Sequence, residues 1–273
     1  MPQVVISLRS KTMKRILLKI LRKVVQLIAN SNSKLPSILE IDLQNMQGKG
    51  SGGGSTEIEA KIALDFISRS GIKKPVVLDI GANIGLYSEA IREYAPEATV
   101  FAFEPSSAAR NKLEERFIED NSVVVIPLAL GITNSKETLW SNTPGSGLAS
   151  LTKRRLEHFG TDFSQAESVD VVTLDSWISS RKVVPNLIKM DVEGHELDVL
   201  MGGLNTLTLA QVVQFEFGGC NIDTRTFFQD FWYLLTDAGF ALYRISDSGP
   251  VRIPQYSELD ECFRTTNYLA VRE

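Results

Sequence analysis

The segment VVLDIGANIGLYS, residues 76–88, decides the fold, because it joins a buried strand to a helix through a glycine-rich turn. Its apolar run Val76–Ile80 predicts a strand that is covered on both faces. Gly81 permits a tight turn close to a ligand, and Asn83 tolerates a positive φ better than most residues. Gly85 lets the following helix lie close to the strand. This turn is typical of a ligand-binding loop, although it is not the dinucleotide fingerprint G-x-G-x-x-G.

Downstream of that turn, apolar strand-like runs alternate with helix-like segments. Strands separated by helices predict an α/β fold with a mostly parallel sheet and helices on both faces. The segment 134–170 is long, polar and irregular, and a closing antiparallel pair is expected from 240–245 and 268–272. The other predicted strands are 100–104, 123–128, 169–173, 187–191 and 212–217, and the predicted helices are 85–94, 106–119, 175–180, 196–202 and 224–238.

The residues that follow each strand are informative, because ligands bind beyond the carboxyl ends of parallel strands. The carboxylate of Asp79 disfavours a nearby pyrophosphate and favours a positive amino group, such as that of the methionine end of S-adenosylmethionine. Glu104 lies 19 residues after Gly85 and can accept hydrogen bonds from both hydroxyls of a ribose. A nicotinamide dinucleotide and S-adenosylmethionine both present such a ribose. Glu104 is also consistent with an acid that only stabilises the helix after it.

The loops after the second and third strands add candidate walls for the same ligand. Ala129 and Leu130 can form an apolar floor for an adenine ring, although such residues are more often part of the core. The predicted ligand-binding residues are Asp79, Gly81, Asn83, Gly85, Glu104, Pro105, Ser106, Ala129 and Leu130.

The densest polar cluster is KMDVEGHE, residues 189–196, which follows the fourth main strand. Asp191 and Glu193 alternate and are expected to point the same way, and His195 begins the next helix. The positive end of that helix favours a neutral imidazole that can act as a base, although a capping or surface role is as common. The predicted base is His195 or Asp191, with Glu216 in reserve. No metal is expected, because nothing else supplies a set of ligands beside Asp191 and His195.

The N-terminal part differs in charge from the remainder of the chain. Residues 1–34 contain eight Lys or Arg and no acid, which leaves 21 basic against 33 acidic residues in 35–273. Apolar side chains in residues 13–28 recur at helical spacing opposite the basic ones and predict an amphipathic helix. This helix fits an anionic membrane surface or, more commonly, a docking site on its own domain or in a homodimer. The acidic main body argues against nucleic acid as a partner.

A spacer of sequence GKGSGGGS, residues 48–55, is predicted to separate a basic helical arm (1–47) from the main domain (56–273). The spacer is also consistent with a mobile lid over a ligand. The pattern TEIE that follows it is a capping box, which predicts a helix from Thr56 through about Ser70.

Composition points to a cytoplasmic protein, with the inner face of a membrane as a further expected location for the arm. The 43% apolar content is ordinary for a soluble protein, and no stretch reaches the roughly 18 apolar residues of a membrane span. The N-terminus is not a convincing secretory signal. The two cysteines make neither a metal motif nor a disulfide framework, so we expect two free thiols.

Four blocks of this chain, in the same order, resemble the FkbM family of methyltransferases. The resemblance covers roughly residues 56–245 and implies a Rossmann-like class I methyltransferase fold with a mostly parallel seven-stranded sheet. It implies S-adenosylmethionine as methyl donor, and usually O-methylation in secondary metabolism or glycan modification. It assigns the methionine end to Asp79, Gly81, Asn83 and Gly85, and the ribose to Glu104, although methyltransferases often have Gly where Asn83 stands. The blocks are VLDIGANIGLYS (77–88), FAFEPSSAARNKLEERF (101–117), VDVVTLDSWI (169–178) and LIKMDVEGHELDVLMGG (187–203).

The sequence therefore predicts an O-methyltransferase acting on a hydroxyl of a sugar, a glycan or a glycosylated small molecule. The segment 141–168 is expected to close over this acceptor, and its run Lys153–Arg155 either meets an anionic acceptor or is solvated. One alternative is a nicotinamide-dependent oxidoreductase on a Rossmann fold, and another is a non-catalytic, membrane-attached binding module. Transfer to nitrogen is less favoured, because the chain has no aromatic-Pro-Pro-aromatic motif after the fourth strand.

Overall fold

A computed structural model describes residues 11–30, 34–50, 56–246 and 248–273. The chain divides into two compact units, residues 1–47 and 48–273. In the first unit the predicted amphipathic helix is confirmed as α1 (Lys11–Asn30), and a second helix, α2 (Leu35–Met46), follows it. None of the helices in the described ranges is long and apolar enough to cross a bilayer. The surface that α1 contacts stays a prediction.

The described part of the predicted spacer, residues 48–50, belongs to the second unit. Lys49 is buried and donates a hydrogen bond to the carbonyl of Leu259, and the Gly50 N–H donates to Thr266 Oγ1 at 2.7 Å. Residues 51–55 of the spacer lie outside the described residues. The helix α3 (Thr56–Arg69) then begins where the TEIE pattern predicts it.

The strands of the described ranges are β1 (Val76–Ile80), β2 (Thr99–Phe103), β3 (Val123–Ile126), β4 (Ala129–Leu130), β5 (Ser135–Ser141), β6 (Gln165–Val172), β7 (Leu187–Met190), β8 (Val212–Phe217), β9 (Phe240–Ser246), β10 (Gly249–Ile253) and β11 (Thr266–Arg272). Eight of them form the main sheet, in the order β10-β9-β11-β8-β7-β1-β2-β3. The five strands from β8 to β3 in this order are parallel, and β11, β9 and β10 pair antiparallel. The order of the strands reverses between β1 and β7, which is where open parallel sheets bind ligands.

The predicted fold class is confirmed, with one strand more than expected. The closing antiparallel pair is present as β9 and β11. The additional strand is β10, which pairs with β9 at the edge of the sheet. Its sequence, GPVRI, begins with Gly and Pro, the residues that normally mark a turn, so its pattern did not predict a strand.

A second, three-stranded sheet in the order β4-β6-β5 corrects the prediction that residues 134–170 are irregular. β5 and β6 pair antiparallel over seven residues each, from Ser135↔Val171 to Ser141↔Gln165. The prediction was wrong because β5, SKETLWS, has three consecutive exposed residues, 136–138, and no regular apolar alternation. The loop between these two strands spans residues 142–164.

Helices cover both faces of the main sheet and enclose two apolar cores. On one face, α3, α4 (Leu86–Tyr94) and α5 (Ser107–Arg116) pack against side chains such as Val77, Leu187 and Val212. The opposite face is covered by α6 (Leu174–Arg181), α7 (Glu196–Met201), α8 (Leu204–Leu207) and α10 (Phe228–Asp237), while α9 (Cys220–Thr224) follows β8. Burying both faces explains why the parallel strands read as continuous apolar runs.

The glycine turn after β1 is the tightest point of the fold. Gly81 has a φ of +76°, and its N–H donates to the carbonyl of Phe103 at 3.0 Å. A Cβ at Gly81 would lie only 1.9 Å from the carbonyl oxygen of Asp191, so the β1 turn and the β7 loop touch through their backbones. Asn83 has a φ of +49°, as its side chain predicts. Gly85 lies close to α5, since a Cβ at this position would meet Leu113 Cδ1 at 2.6 Å. The sequence predicted only a close approach of the following helix to the strand.

Replacing Gly81 with Ala should destabilise the protein far more than replacing Gly71 with Ala. Both glycines have a φ of +76°, so each variant accepts the same left-handed strain of about 1–2 kcal/mol. A Cβ at Gly71 meets nothing within 4 Å, whereas at Gly81 it meets backbone, which adds about 1–3 kcal/mol. Urea unfolding of both variants measures the difference, and equal losses of unfolding free energy would contradict this close contact.

Candidate active site

A cavity of about 460 Å³ lies at the carboxyl ends of β1, β2 and β7, at the switch point of the sheet. Its volume is within the range of about 300–1,000 Å³ that is typical of small-molecule sites. The loops after these strands, β4, the 142–164 loop and α3 form its walls. The predicted site residues that line it are Gly81, Asn83, Glu104, Pro105, Ala129, Leu130, Asp191, His195 and Glu216, whereas Asp79, Gly85 and Ser106 do not.

Glu104 is held by two backbone N–H groups, one from the turn after β1 and one from the start of α5. Its Oε2 accepts the N–H of Asn83 and its Oε1 accepts the N–H of Ser106, each at 2.8 Å. Ser106 therefore contributes its backbone to the site although it does not face the cavity. Burial raises the pKa of Glu104 to about 7, against the lowering effect of these two hydrogen bonds. A hydrogen-bond donor from a ligand would favour the ionised form.

Asp79 does not reach the cavity, which corrects the prediction that it binds a ligand directly. Its carboxylate is fully buried and accepts the hydroxyl of Ser88 at 2.7 Å through Oδ2. The other oxygen, Oδ1, lies 3.1 Å from the ammonium of Lys189. The reason is electrostatic: a buried carboxylate needs a partner, and the neighbouring strand supplies one.

Lys189 is a cavity residue that the sequence did not identify. It is buried in β7, where its ammonium donates to the carbonyl of Gly81 at 3.2 Å and lies 3.9 Å from Asp191 Oδ2. It also lies 5.3 Å from the ring centroid of Tyr87. Burial acts to lower the pKa of Lys189, but Asp79 and Asp191 raise it above its usual value. A lysine within an apolar strand run was the available signal, since such a residue is seldom buried unpaired.

His195 is held at both ring nitrogens. Its Nδ1 lies 2.7 Å from Asp198 Oδ2, and its Nε2 lies 3.0 Å from the hydroxyl of Thr152 in the 142–164 loop. With Nδ1 donating to the carboxylate, Nε2 is the acceptor of the Thr152 hydroxyl. The ring therefore faces the cavity in a fixed orientation, with a hydroxyl already at its basic nitrogen.

Arg154 anchors the 142–164 loop to the loop after β7, instead of facing an anionic ligand. Its guanidinium pairs with Glu193 and, at 3.1 Å, with Asp223. Ser150 of the same loop donates its hydroxyl to the carbonyl of Glu193 at 2.9 Å. Lys153 lies 4.7 Å from the ring centroid of Trp140. The run Lys153–Arg155 was predicted to meet an anionic acceptor or solvent. Its middle residue, Arg154, is instead paired with two carboxylates of the protein.

Three carboxylates, those of Asp191, Glu193 and Glu216, place ligand oxygens within 4.8 Å of one another. Asp191 and Glu193 converge as their spacing predicts, and β8 adds Glu216, which the search for a ligand set missed. Burial, followed by the charge of Asp191, raises the pKa of Glu193 to about 8 and that of Glu216 to about 10. Among the described residues, these three are the ones whose chemistry could hold a divalent cation.

Glu59, on the first turn of α3, is a further cavity residue that the sequence did not identify. The TEIE pattern suggested a capping role, but both of its carboxylate oxygens accept from side-chain amides. Oε1 accepts from Asn267 at 2.8 Å and Oε2 from Gln214 at 3.1 Å. Burial raises the pKa of Glu59 to about 7. No local signal marks it, because its partners lie in β8 and β11, far along the chain.

The part of the cavity lining around β4 is apolar. Ala129 and Leu130 form β4, which pairs with β6, and both are buried. Leu128, Leu139 and Leu151 complete this lining. A flat aromatic group fits such a surface, and the assignment of the adenine to it stays a prediction.

A family model described as "Methyltransferase FkbM domain" matches residues 79–242, more than half of the chain. The 2-O-methyltransferase NoeI of Sinorhizobium fredii is 31% identical over 167 residues, which cover 58% of this chain and 69% of that protein. The hexuronic acid methyltransferase AglP of Haloferax volcanii is 34% identical over 137 residues, which cover 48% of this chain and about half, 51%, of its own length.

A crystal structure of an FkbM methyltransferase from Methylobacillus flagellatus matches with 18% identity and a TM-score of 0.46, over 74% of this chain and 46% of that one. The family match supports methyl transfer, as predicted, and gives no support to a nicotinamide-dependent oxidoreductase or a non-catalytic module.

The unliganded protein should lose stability as the pH rises from about 5.5 to about 8. Burial raises the pKa of several cavity glutamates from 4.5 to about 6–10, so the folded state binds more protons than the unfolded state in this range. Each such group lowers the free energy of unfolding by about 1.4 kcal/mol per pH unit within its own titration window. The groups are Glu59, Glu104, Glu193, Glu196 and Glu216.

Urea unfolding at several pH values measures this slope. The variant Glu216→Gln should reduce the slope, whereas Glu119→Gln, at an exposed position outside the cavity, should leave it unchanged. A protein that is as stable at about pH 8 as at about pH 5.5 would show that these carboxyls are not strained by burial.

Proposed function

The chain belongs to the FkbM methyltransferase family, and on that premise we propose that it is an O-methyltransferase that uses S-adenosylmethionine. The proposed acceptor is a hydroxyl of a sugar, a glycan or a glycosylated small molecule. One observation carries this proposal: Glu104, suited to a ribose, and His195, suited to a hydroxyl proton, line the same cavity.

The donor half of the cavity rests on Glu104. Each of its carboxylate oxygens accepts one backbone N–H, so each keeps a lone pair for one hydroxyl of a ribose. The apolar surface of β4 lies beside it and suits an adenine ring. S-adenosylmethionine, when bound, supplies an electrophilic methyl group on a sulfonium. The carboxylates that line the cavity favour a ligand with that positive charge.

The acceptor half rests on His195, which we propose as the general base. Asp198 orients the ring so that Nε2 is the basic nitrogen, and the Thr152 hydroxyl already donates to it at 3.0 Å. An acceptor hydroxyl that replaces Thr152 there would give its proton to Nε2. Removal of that proton by a positioned base contributes about 10²–10⁴-fold to the rate. Asp191 is the second candidate, since burial and the charge of Asp191 raise the pKa of Glu216 far above its usual value and so disfavour its basic form.

The charge of the cavity favours a neutral hydroxyl over an anionic acceptor. Five carboxyl groups line it with a single lysine, and Arg154 is occupied by carboxylates of the protein. One relative is named for a hexuronic acid, a sugar that offers both hydroxyls and a carboxylate. Methylation of the carboxylate gives a methyl ester, which base cleaves, whereas methylation of a hydroxyl gives a methyl ether, which base does not cleave. The stability of the product in base therefore shows which group is methylated. The five groups are those of Glu59, Glu104, Asp191, Glu193 and Glu216.

The variant His195→Ala should slow single-turnover methyl transfer by about 10²–10⁴-fold, because the acceptor proton loses its base. The acceptor for this assay comes from a screen of neutral sugars, hexuronic acids and sugar nucleotides with a radiolabelled donor. His158→Ala, at the other histidine of the chain, is the matched control and should react at the normal rate, since His158 does not line the cavity.

Binding of S-adenosylhomocysteine should be unchanged in both variants. A loss of less than tenfold in His195→Ala would remove this residue from the role of base. A base-labile methylated product would replace the hydroxyl with a carboxylate as the acceptor group.

A further inference from the structure

The carboxylate of Glu59 is built into the cavity wall by two other elements of the fold. Asn267 of β11 donates to Oε1 at 2.8 Å, and Gln214 of β8 donates to Oε2 at 3.1 Å. Each oxygen therefore has one amide donor and keeps a lone pair for a ligand. Two amides that aim a carboxylate into a cavity indicate a binding group rather than a solvated surface acid.

The orientation of the Gln214 amide is itself fixed. The hydroxyl of Tyr87, on α4, donates to Gln214 Oε1 at 2.7 Å, so the NH₂ group of Gln214 must face Glu59. Gln214 and Tyr87 are both buried. In these hydrogen bonds Glu59 is the acceptor, so a group that donates to its remaining lone pairs would complete the site.

The position of Glu59 matches the amino-acid end of the proposed donor. Gln214 pairs with Lys189 of β7, and Lys189 pairs with Asp79 of β1, so Glu59 stands on the β7–β8 side of the switch point. Glu104 follows β2, which is three strands from β8, so these two strands are roughly 14 Å apart. A nucleoside whose ribose is at Glu104 would extend its chain in this direction, away from the apolar floor at β4.

The charge around Glu59 fits an ammonium group. Lys189 is the lysine of this wall, and it is already committed to Asp79, to the Gly81 carbonyl and to the neighbourhood of Asp191. Its charge also lowers the pKa of Glu59, while its hydrogen bond goes to the Gly81 carbonyl. A cation with several N–H donors would meet the carboxylates of Glu59 and Asp191, both of which line the cavity.

We propose that Glu59 binds the α-ammonium group of the methionine end of the donor, the contact that Asp79 is too deeply buried to make. This inference rests on the proposed function, since it presupposes a sulfonium nucleoside in the cavity. It extends the binding site to a residue of α3 that lies 20 positions before Asp79, outside the matched family segment 79–242.

Calorimetric titration with two ligands tests the contact. S-adenosylhomocysteine carries the α-ammonium, whereas 5′-methylthioadenosine keeps the adenosine and the thioether without any amino acid. Glu59→Gln should weaken S-adenosylhomocysteine by about ten- to a hundredfold and leave methylthioadenosine within twofold, because only the charged contact is lost. Glu57→Gln, the same change at an exposed position on the same helix turn, should alter neither affinity.

Two further measurements separate binding from folding. Glu59→Asp keeps the charge and should retain a preference for S-adenosylhomocysteine over methylthioadenosine, even if its thermal stability falls. The decarboxylated amine analogue of S-adenosylhomocysteine, which keeps the ammonium alone, should lose affinity in Glu59→Gln as the parent ligand does.

The outcomes also distinguish this inference from the proposed function. Equal weakening of both ligands, no weakening of either, or a wild-type protein without preference for the ligand that carries the ammonium would overturn the role of Glu59 and leave adenosine binding intact. A wild-type protein that binds neither ligand would overturn the proposed cofactor, and the role of Glu59 with it.

Discussion

The buried salt bridge between Lys189 and Asp79 is the interaction on which the site depends. It joins β7 to β1 at the point where the strand order reverses, and the same ammonium holds the carbonyl of Gly81. Buried charges are costly unless they are paired, and losing one partner of such a pair costs about 3–5 kcal/mol. This bridge therefore fixes the glycine turn against the β7 loop, and with it the two walls of the cavity that carry Glu104 and Asp191.

The second constraint is the concentration of carboxyl groups around a partly enclosed cavity. Burial raises the pKa of Glu59 and of Glu104 to about 7, so both are held close to the point where a ligand decides their ionisation. A ligand that donates hydrogen bonds or carries positive charge relieves this strain, and an anionic ligand increases it. These electrostatics support the proposal of a cationic donor and a neutral acceptor.

The order of elements and the ends of the parallel strands could be predicted, because apolar runs and glycine turns are local signals. Glu104 and His195 were predicted in this way, and both line the cavity. Glu59 could not be, since its amide partners lie 155 and 208 residues along the chain. Asp79 was found but given the wrong contact, because its partner Lys189 becomes visible only when two strands are side by side. The sheet edge at β5 was missed because its sequence has no regular apolar alternation.

The central claim is that one cavity holds a sulfonium nucleoside by its ribose and by its amino group. A crystal structure of the protein with S-adenosylhomocysteine tests this claim most directly. The ribose hydroxyls are expected at Glu104, the adenine against β4 and the ammonium at Glu59. Density for the ligand anywhere else, or a cavity that stays empty at saturating ligand, would contradict the account.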